Sequence, residues 1–296
     1  MKNTAPFSRE NVYKKRSQLG SVCRRFAKSR TAMAGLVILV LLVLTALCCP
    51  LFLDYAQDVV GQNIRERLQT PNLAHPFGTD QYGRDVLARV IWGTRISLSA
   101  SLVIITVATV FGALFGALAA YYGGKVDNLI MRMMDVFYAL PFNLMAICIV
   151  ASLGNGIFNL GLACVIGVIP GFTRVFRSAI LPIRNQEYIE AARACNTTDW
   201  RILTKHILPN ALGPIIVQAT LNLVITILAI AGLSFIGLGI QSPTPEWGAM
   251  LSEGREQMRN YPYLVIFPGL AIMVSAMSLN LIGDGLRDAL DPKLKN

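Results

Sequence analysis

Five charged side chains, Glu187, Glu190, Arg193, Arg201 and Lys205, recur at spacings of three, four and eight within one short stretch. On helices such spacings gather charges onto shared faces. A charged knob of this kind can dock a soluble partner through ion pairs and hydrogen bonds. A second polar set is fainter. Gln218, Asn222 and Thr226 follow one another at four-residue intervals in an apolar run, so a helix carries them as one stripe. In lipid such a stripe either lines a path for a polar solute or hydrogen-bonds neighbouring helices. Residue sets for bond-making chemistry do not occur. The two histidines, His75 and His206, lie far apart, and no CxxC pair accompanies them. HExxH and GxSxG are also missing. Gly123-Gly124-Lys125 is followed by Val126, and no upstream glycine completes a phosphate-binding loop. We therefore expect no catalytic residues, no metal and no cofactor bound by this chain.

The elements that must position these residues belong in lipid. The 296-residue chain is 54% hydrophobic and 15% charged, against about 25% charged for soluble domains. Residues 32–53, 96–124, 136–173, 206–245 and 260–283 carry no Asp, Glu, Lys or Arg. A helix needs roughly 20 apolar residues to cross a bilayer. Residues 136–173 have length for two crossings, with Gly154-Asn155-Gly156 as the turn, and the other runs give one each. The expectation is an all-α polytopic membrane protein with six transmembrane helices. Residues 1–31 form a basic N-terminal segment, 32–283 the membrane domain and 284–296 a C-terminal tail. The first run exceeds a signal peptide's apolar core and lacks a small-x-small cleavage site, so it reads as a retained anchor.

Lysine and arginine placement sets the orientation. With the N-terminus inside, 20 of the 27 basic residues fall on inner segments and seven on outer ones. Both termini and the charged knob then face the cytoplasm. The net charge of +10 reflects this bias, with anionic lipid as a contact, and calls for no nucleic acid. Cysteines lie on inner segments (Cys23, Cys195) or in spans (Cys48, Cys49, Cys148, Cys164), so no structural disulfide is expected.

Local patterns refine the layout. The outer segment, residues 54–95, contains turn residues from His75 to Asp85. Val86, Leu87, Val90 and Ile91 then recur at helical spacing with Arg84, Asp85 and Arg89 around them, which predicts an amphipathic helix on the outer membrane face that leads into the second span, with Asp80 as a plausible cap. Gly112 and Gly116 favour close helix packing within the chain. Arg132 and Asp135 stand three apart and can pair, and Pro141 should kink the third span. In the knob, Pro182 should end the preceding helix and Asn185-Gln186-Glu187 open the next, over residues 188–195. Thr198 or Asp199 can cap a second helix over residues 200–207, closed by Pro209.

Glu190-Ala191-Ala192 followed by Leu208-Pro209 resembles the EAA loop of bacterial ABC importer permeases. That pattern has Gly where this chain has Asn196, the next best residue for a left-handed turn, and Ile where it has His206. His206-Ile207-Leu208-Pro209-Asn210 is similar to the peptide/nickel branch. So are His75-Pro76-Phe77-Gly78-Thr79-Asp80 with Gly83-Arg84-Asp85-Val86-Leu87, and Asn280-Leu281-Ile282-Gly283-Asp284-Gly285-Leu286-Arg287-Asp288-Ala289-Leu290-Asp291-Pro292. The chain resembles the second (C-type) permease subunit of a dipeptide or oligopeptide importer of type I architecture.

The resemblance implies a cytoplasmic coupling-helix loop at about residues 176–210. Its ATPase-coupling residues would be Glu187, Glu190, Ala191, Ala192, Arg193, Asn196, Asp199, Arg201, Leu208 and Pro209. It also implies a second homologous permease, two ATPase subunits that use the ATP, an external solute-binding protein and a bacterial inner-membrane location. Nickel chelates, opines and glutathione share these motifs as cargo. A stand-alone channel or secondary carrier would leave the knob unexplained and would commonly need charged residues within the spans. A membrane enzyme would need a catalytic constellation.

Overall fold

Among the described residues, five helices are long and apolar enough to cross a bilayer, and two shorter helices joined at a sharp bend pass the same test only as a pair. The computed structural model describes residues 18–290. A short basic helix α1 (Gln18–Lys28) leads through Ser29 into α2 (Arg30–Phe52). The Ser29 side chain accepts from the Ala32 amide and so caps α2. α3 (Val86–Tyr122) has 37 residues, a rod of roughly 55 Å. The predicted amphipathic helix thus leads without a break into the second span. Asp85, not Asp80, caps it, accepting from the Ala88 amide at 2.8 Å.

α4 (Gly124–Ala139) and α5 (Phe142–Leu153) meet at 85°. We expected one kinked span here. Pro141 excludes its predecessor from the helical region, and Leu140 is extended (φ −85°, ψ 130°), so the helix stops and restarts. α5 has 12 residues, about 18 Å, which is short of a full hydrocarbon core. Asp135 pairs with Arg174 across the helices at 2.8 Å, not with Arg132. Gly154 (φ +90°) and Gly156 (φ +148°) turn the chain into α6 (Ile157–Arg184). Pro182 does not end α6, which continues to Arg184. Proline gives up its own N–H bond to the carbonyl four residues back, but its fixed φ suits a helix, and the chain runs on for two more residues.

α7 (Glu187–Ala194) and α8 (Asp199–Ile202) follow. α8 runs on through a wide turn, Leu203–Ile207, into α9 (Leu208–Phe235). Pro209 does not close the second helix; residues Asp199–Phe235 form one continuous helical run. The Leu208 amide reaches back five residues to the Leu203 carbonyl. This widening makes room for the ring of Pro209, which would otherwise crowd the carbonyl four residues back. α10 (Trp247–Gly254) precedes α11 (Tyr263–Leu290). α11 extends past the expected boundary at residue 283. Asp291, Pro292 and most of the N-terminal basic residues, such as Lys14, Lys15 and Arg16, lie outside the described residues.

α3 and α6 pack closely at two glycines. A methyl group on Gly116 would lie 2.5 Å from the Phe176 Cβ and 2.6 Å from the Thr173 carbonyl oxygen. The small-residue stripe therefore serves packing within the chain.

The upper end of the bundle holds residues 54–85 and 236–262. Arg84 and Arg89, which the sequence suggests are exposed, are each 1% exposed. Arg84 bonds Asp80 (2.6 Å) and Glu253 (2.6 Å), and Arg89 bonds Glu253 (3.1 Å). Glu246 caps α10 by accepting from the Gly248 and Ala249 amides. The Tyr263 hydroxyl lies 2.8 Å from the Gln69 carbonyl and 2.9 Å from that of Thr79. The lower end holds Gly123, residues 185–207 and the ends of α2 and α11, where Gly285 lies against Ala32.

Candidate functional site: the folded loop between α6 and α9

Residues 185–207 form a compact unit because their aliphatic residues Ile189, Ile202, Leu203 and Ile207 point inward. Ile189, Ile202 and Ile207 are fully buried, and Leu203 nearly so. They join Phe176, Ile180, Ala117 and Tyr121 in one apolar cluster. Burying three isoleucines contributes about 5–8 kcal/mol, enough to hold the loop against the bundle.

The turn between α7 and α8 depends on Asn196, whose φ is +57°. The Asn196 amide donates to the Arg193 carbonyl at 2.9 Å and the Thr197 amide to that of Ala192 at 3.1 Å. These bonds close the helix as a left-handed cap does. Thr198 occupies the cap position of α8 through its backbone alone.

The expected coupling residues divide by exposure. Glu187, Glu190, Ala191, Arg193, Asn196, Asp199, Arg201 and Pro209 are exposed, as is Lys205. Ala192 and Leu208 are half-buried and pack on the apolar cluster. Sequence reasoning missed two aromatics. Trp200 is 72% exposed between Asp199 and Arg201. Tyr121, at the end of α3, is buried, donates its hydroxyl proton to Asp199 Oδ1 at 2.5 Å and lies under Arg193. A lone tryptophan among charges was a readable signal for the first; nothing local marked the second.

The second polar set lies elsewhere. Gln218, Asn222 and Thr226 together line a cleft of about 310 Å³, with Tyr138, Phe142 and Gly167 on the facing wall. The Asn222 amide donates to the Gln218 carbonyl at 2.9 Å. The Thr226 hydroxyl is buried and has no partner among the described residues. The cleft thus mixes aromatic walls with amide and hydroxyl groups.

Residues 108–296 match the family described as binding-protein-dependent transport system inner membrane component. The chain belongs to this family. Residues 17–71 match the N-terminal transmembrane domain of oligopeptide transport permease C. The chain is 43% identical over 289 residues to the dipeptide transport system permease protein DppC of Alkalihalophilus pseudofirmus, covering 97% of this chain and 94% of that protein. It is 43% identical to the glutathione transport system permease protein GsiD of Pectobacterium atrosepticum, covering 92% and 90%. Among solved structures, the inward-facing MetNI methionine ABC transporter superposes with a TM-score of 0.57 at 19% identity, over 69% of this chain and 96% of that one. That likeness shows the fold, a type I importer permease. This binding-protein-dependent permease is a multi-pass inner-membrane transport subunit, and such subunits operate with ATPase and binding-protein partners.

Proposed function

We propose that this chain forms half of the pore of an ATP-driven importer of di- and oligopeptides. In this reading the α7–α8 loop receives the motion of separate ATPase subunits, which bind and hydrolyse the ATP. In this reading the chain itself binds no nucleotide or metal and supplies no catalytic group. Its partners are a second, homologous permease, two ATPase subunits and an external solute-binding protein. Both termini and the loop face the cytoplasm, as the concentration of lysine and arginine at the lower end favours.

One observation carries the coupling role. A folded, charged knob stands outside the apolar bundle, its core side filled by isoleucines and its outer side left to Glu187, Glu190, Arg193, Trp200 and Arg201. Trp200 alone would contribute roughly 3–4 kcal/mol if a partner covered it. The dipeptide-transport relative at 43% identity supports a peptide cargo. The glutathione-transport relative, equally identical, favours a second reading in which the cargo is that tripeptide. Cleft residues Gln218, Asn222 and Thr226 would line the path in either case.

The test is purification of the tagged chain from native membranes, beside Glu190→Arg. The unchanged chain should bring a second permease and ATPase subunits, and Glu190→Arg should lose the ATPases while still inserting. Retention of the ATPases by Glu190→Arg counts against docking at this loop. Uptake of labelled dipeptide and of labelled glutathione by the reconstituted complex separates the two cargo readings.

A further inference from the structure

The loop is joined covalently to α6 and α9, but α3 can follow it only through contacts. Among the described residues, the polar side-chain contacts between the loop helices and α3 converge on Tyr121. Asp199 of α8 accepts its hydroxyl proton at 2.5 Å. The Arg193 guanidinium of α7 lies 5.3 Å from its ring centroid. Beside them, Arg184 at the end of α6 donates to the Ala120 carbonyl at 2.7 Å and the Tyr121 carbonyl at 3.3 Å. These two carbonyls close α3 and have no partner further along the helix. Tyr121 is 7% exposed and shares an apolar cluster with Ile189 and Ile202.

We propose that Tyr121 is the joint that passes displacement of the coupling loop to α3, and through the glycine contacts at Gly112 and Gly116 to the α3–α6 pair. This rests on the coupling reading above. The physical argument is directional. Isoleucines buried beneath the loop resist its removal, but apolar contact is non-directional and permits sliding. A short hydrogen bond to a carboxylate has fixed geometry and roughly twice the strength of a neutral one. Tyr121 supplies such a bond to one loop helix and a cation–π contact to the other, so both helices pull on a single residue. A side chain that only filled space would need the ring but not the hydroxyl.

The test uses the complete transporter reconstituted in liposomes, with solute uptake and ATP hydrolysis measured together. Tyr121→Phe keeps the ring and removes the bond to Asp199. The expected result is an assembled, hydrolysing complex whose solute transported per ATP falls three- to ten-fold. Asp199→Ala removes the same bond from an exposed position, where the fold is not at stake. The double variant should be no worse than the worse single, as for two ends of one interaction. A purely structural role would lower assembly or thermal stability and leave the ratio of transport to hydrolysis unmoved. An unchanged ratio in either single variant, or additive losses in the double, overturns the proposal. The docking reading is judged separately: Glu190→Arg with ATPases still bound sinks that reading, whatever Tyr121 does.

Discussion

Replacing Glu253 with alanine removes the carboxylate that two buried guanidinium groups share. Arg84 and Arg89 are each 1% exposed, and Glu253 Oε2 lies 2.6 Å from one and 3.1 Å from the other. With Asp80 the four charges sum to zero; without Glu253 one positive charge stays buried with no counterpart. Breaking a buried pair from one side costs about 3–5 kcal/mol. The Glu253 side chain is 17% exposed, so water offsets part of this and the low end, ~3 kcal/mol, applies. At about 2–4 °C per kcal/mol, the apparent unfolding midpoint should fall by roughly 6–12 °C. Purified protein in mild detergent, heated while tryptophan fluorescence is followed, reads this directly, because Trp247 is fully buried on the same helix. The decisive control is Arg89→Met with Glu253→Met. That pair removes one charge of each sign and leaves Arg84 on Asp80 at 2.6 Å. It should unfold within about 1 kcal/mol of the unchanged protein. A Glu253→Ala midpoint within about 2 °C of the original, or a double variant no better than the single, would refute the charge argument.

Asn196→Val should destabilise the loop by about 1–2 kcal/mol, because φ is +57° there and a branched side chain resists that region; faster amide exchange over residues 187–202 is the readout. Asn196→Gly should show no such loss, and a loss equal to valine's would discount the turn argument. Asn222→Leu should lower peptide uptake about ten-fold, ~1.4 kcal/mol of lost solute contact, with the complex still assembled. Leu228→Ala, at a half-exposed position outside the cleft on the same helix, should not. Equal uptake by both variants would remove Asn222 from the solute path.

The spans and the loop turn were legible because each depends on local chemistry. Uncharged runs of sufficient length became crossings, and Asn196 adopted the left-handed geometry that its side chain tolerates. Features decided by distant residues were not legible. Arg84 and Arg89 looked like the polar face of a surface helix, because Glu253, which buries them, stands 169 and 164 positions away. Asp135 looked like a partner for Arg132, whereas Arg174 reached it from another helix. Proline misled in both directions. Pro182 and Pro209 predict stops, yet α6 runs on past Pro182 to Arg184 and a widened turn accommodates the ring of Pro209. Pro141 predicts a kink, yet it breaks the helix by 85°. The cleft residues were found by spacing alone; Tyr138 and Phe142 opposite them came from across that break.

The stapling of the upper end by distant residues also sets an order of events during synthesis. Arg84 and Arg89 leave the ribosome long before Glu253, and the Gln69 and Thr79 carbonyls long before Tyr263. Until α10 is made, Asp80 alone faces two cations, and one positive charge has no counterpart. The upper end therefore completes only when the C-terminal third has been threaded. A chain truncated before α10 would keep Asp80 but leave the arginine pair with one positive charge in excess.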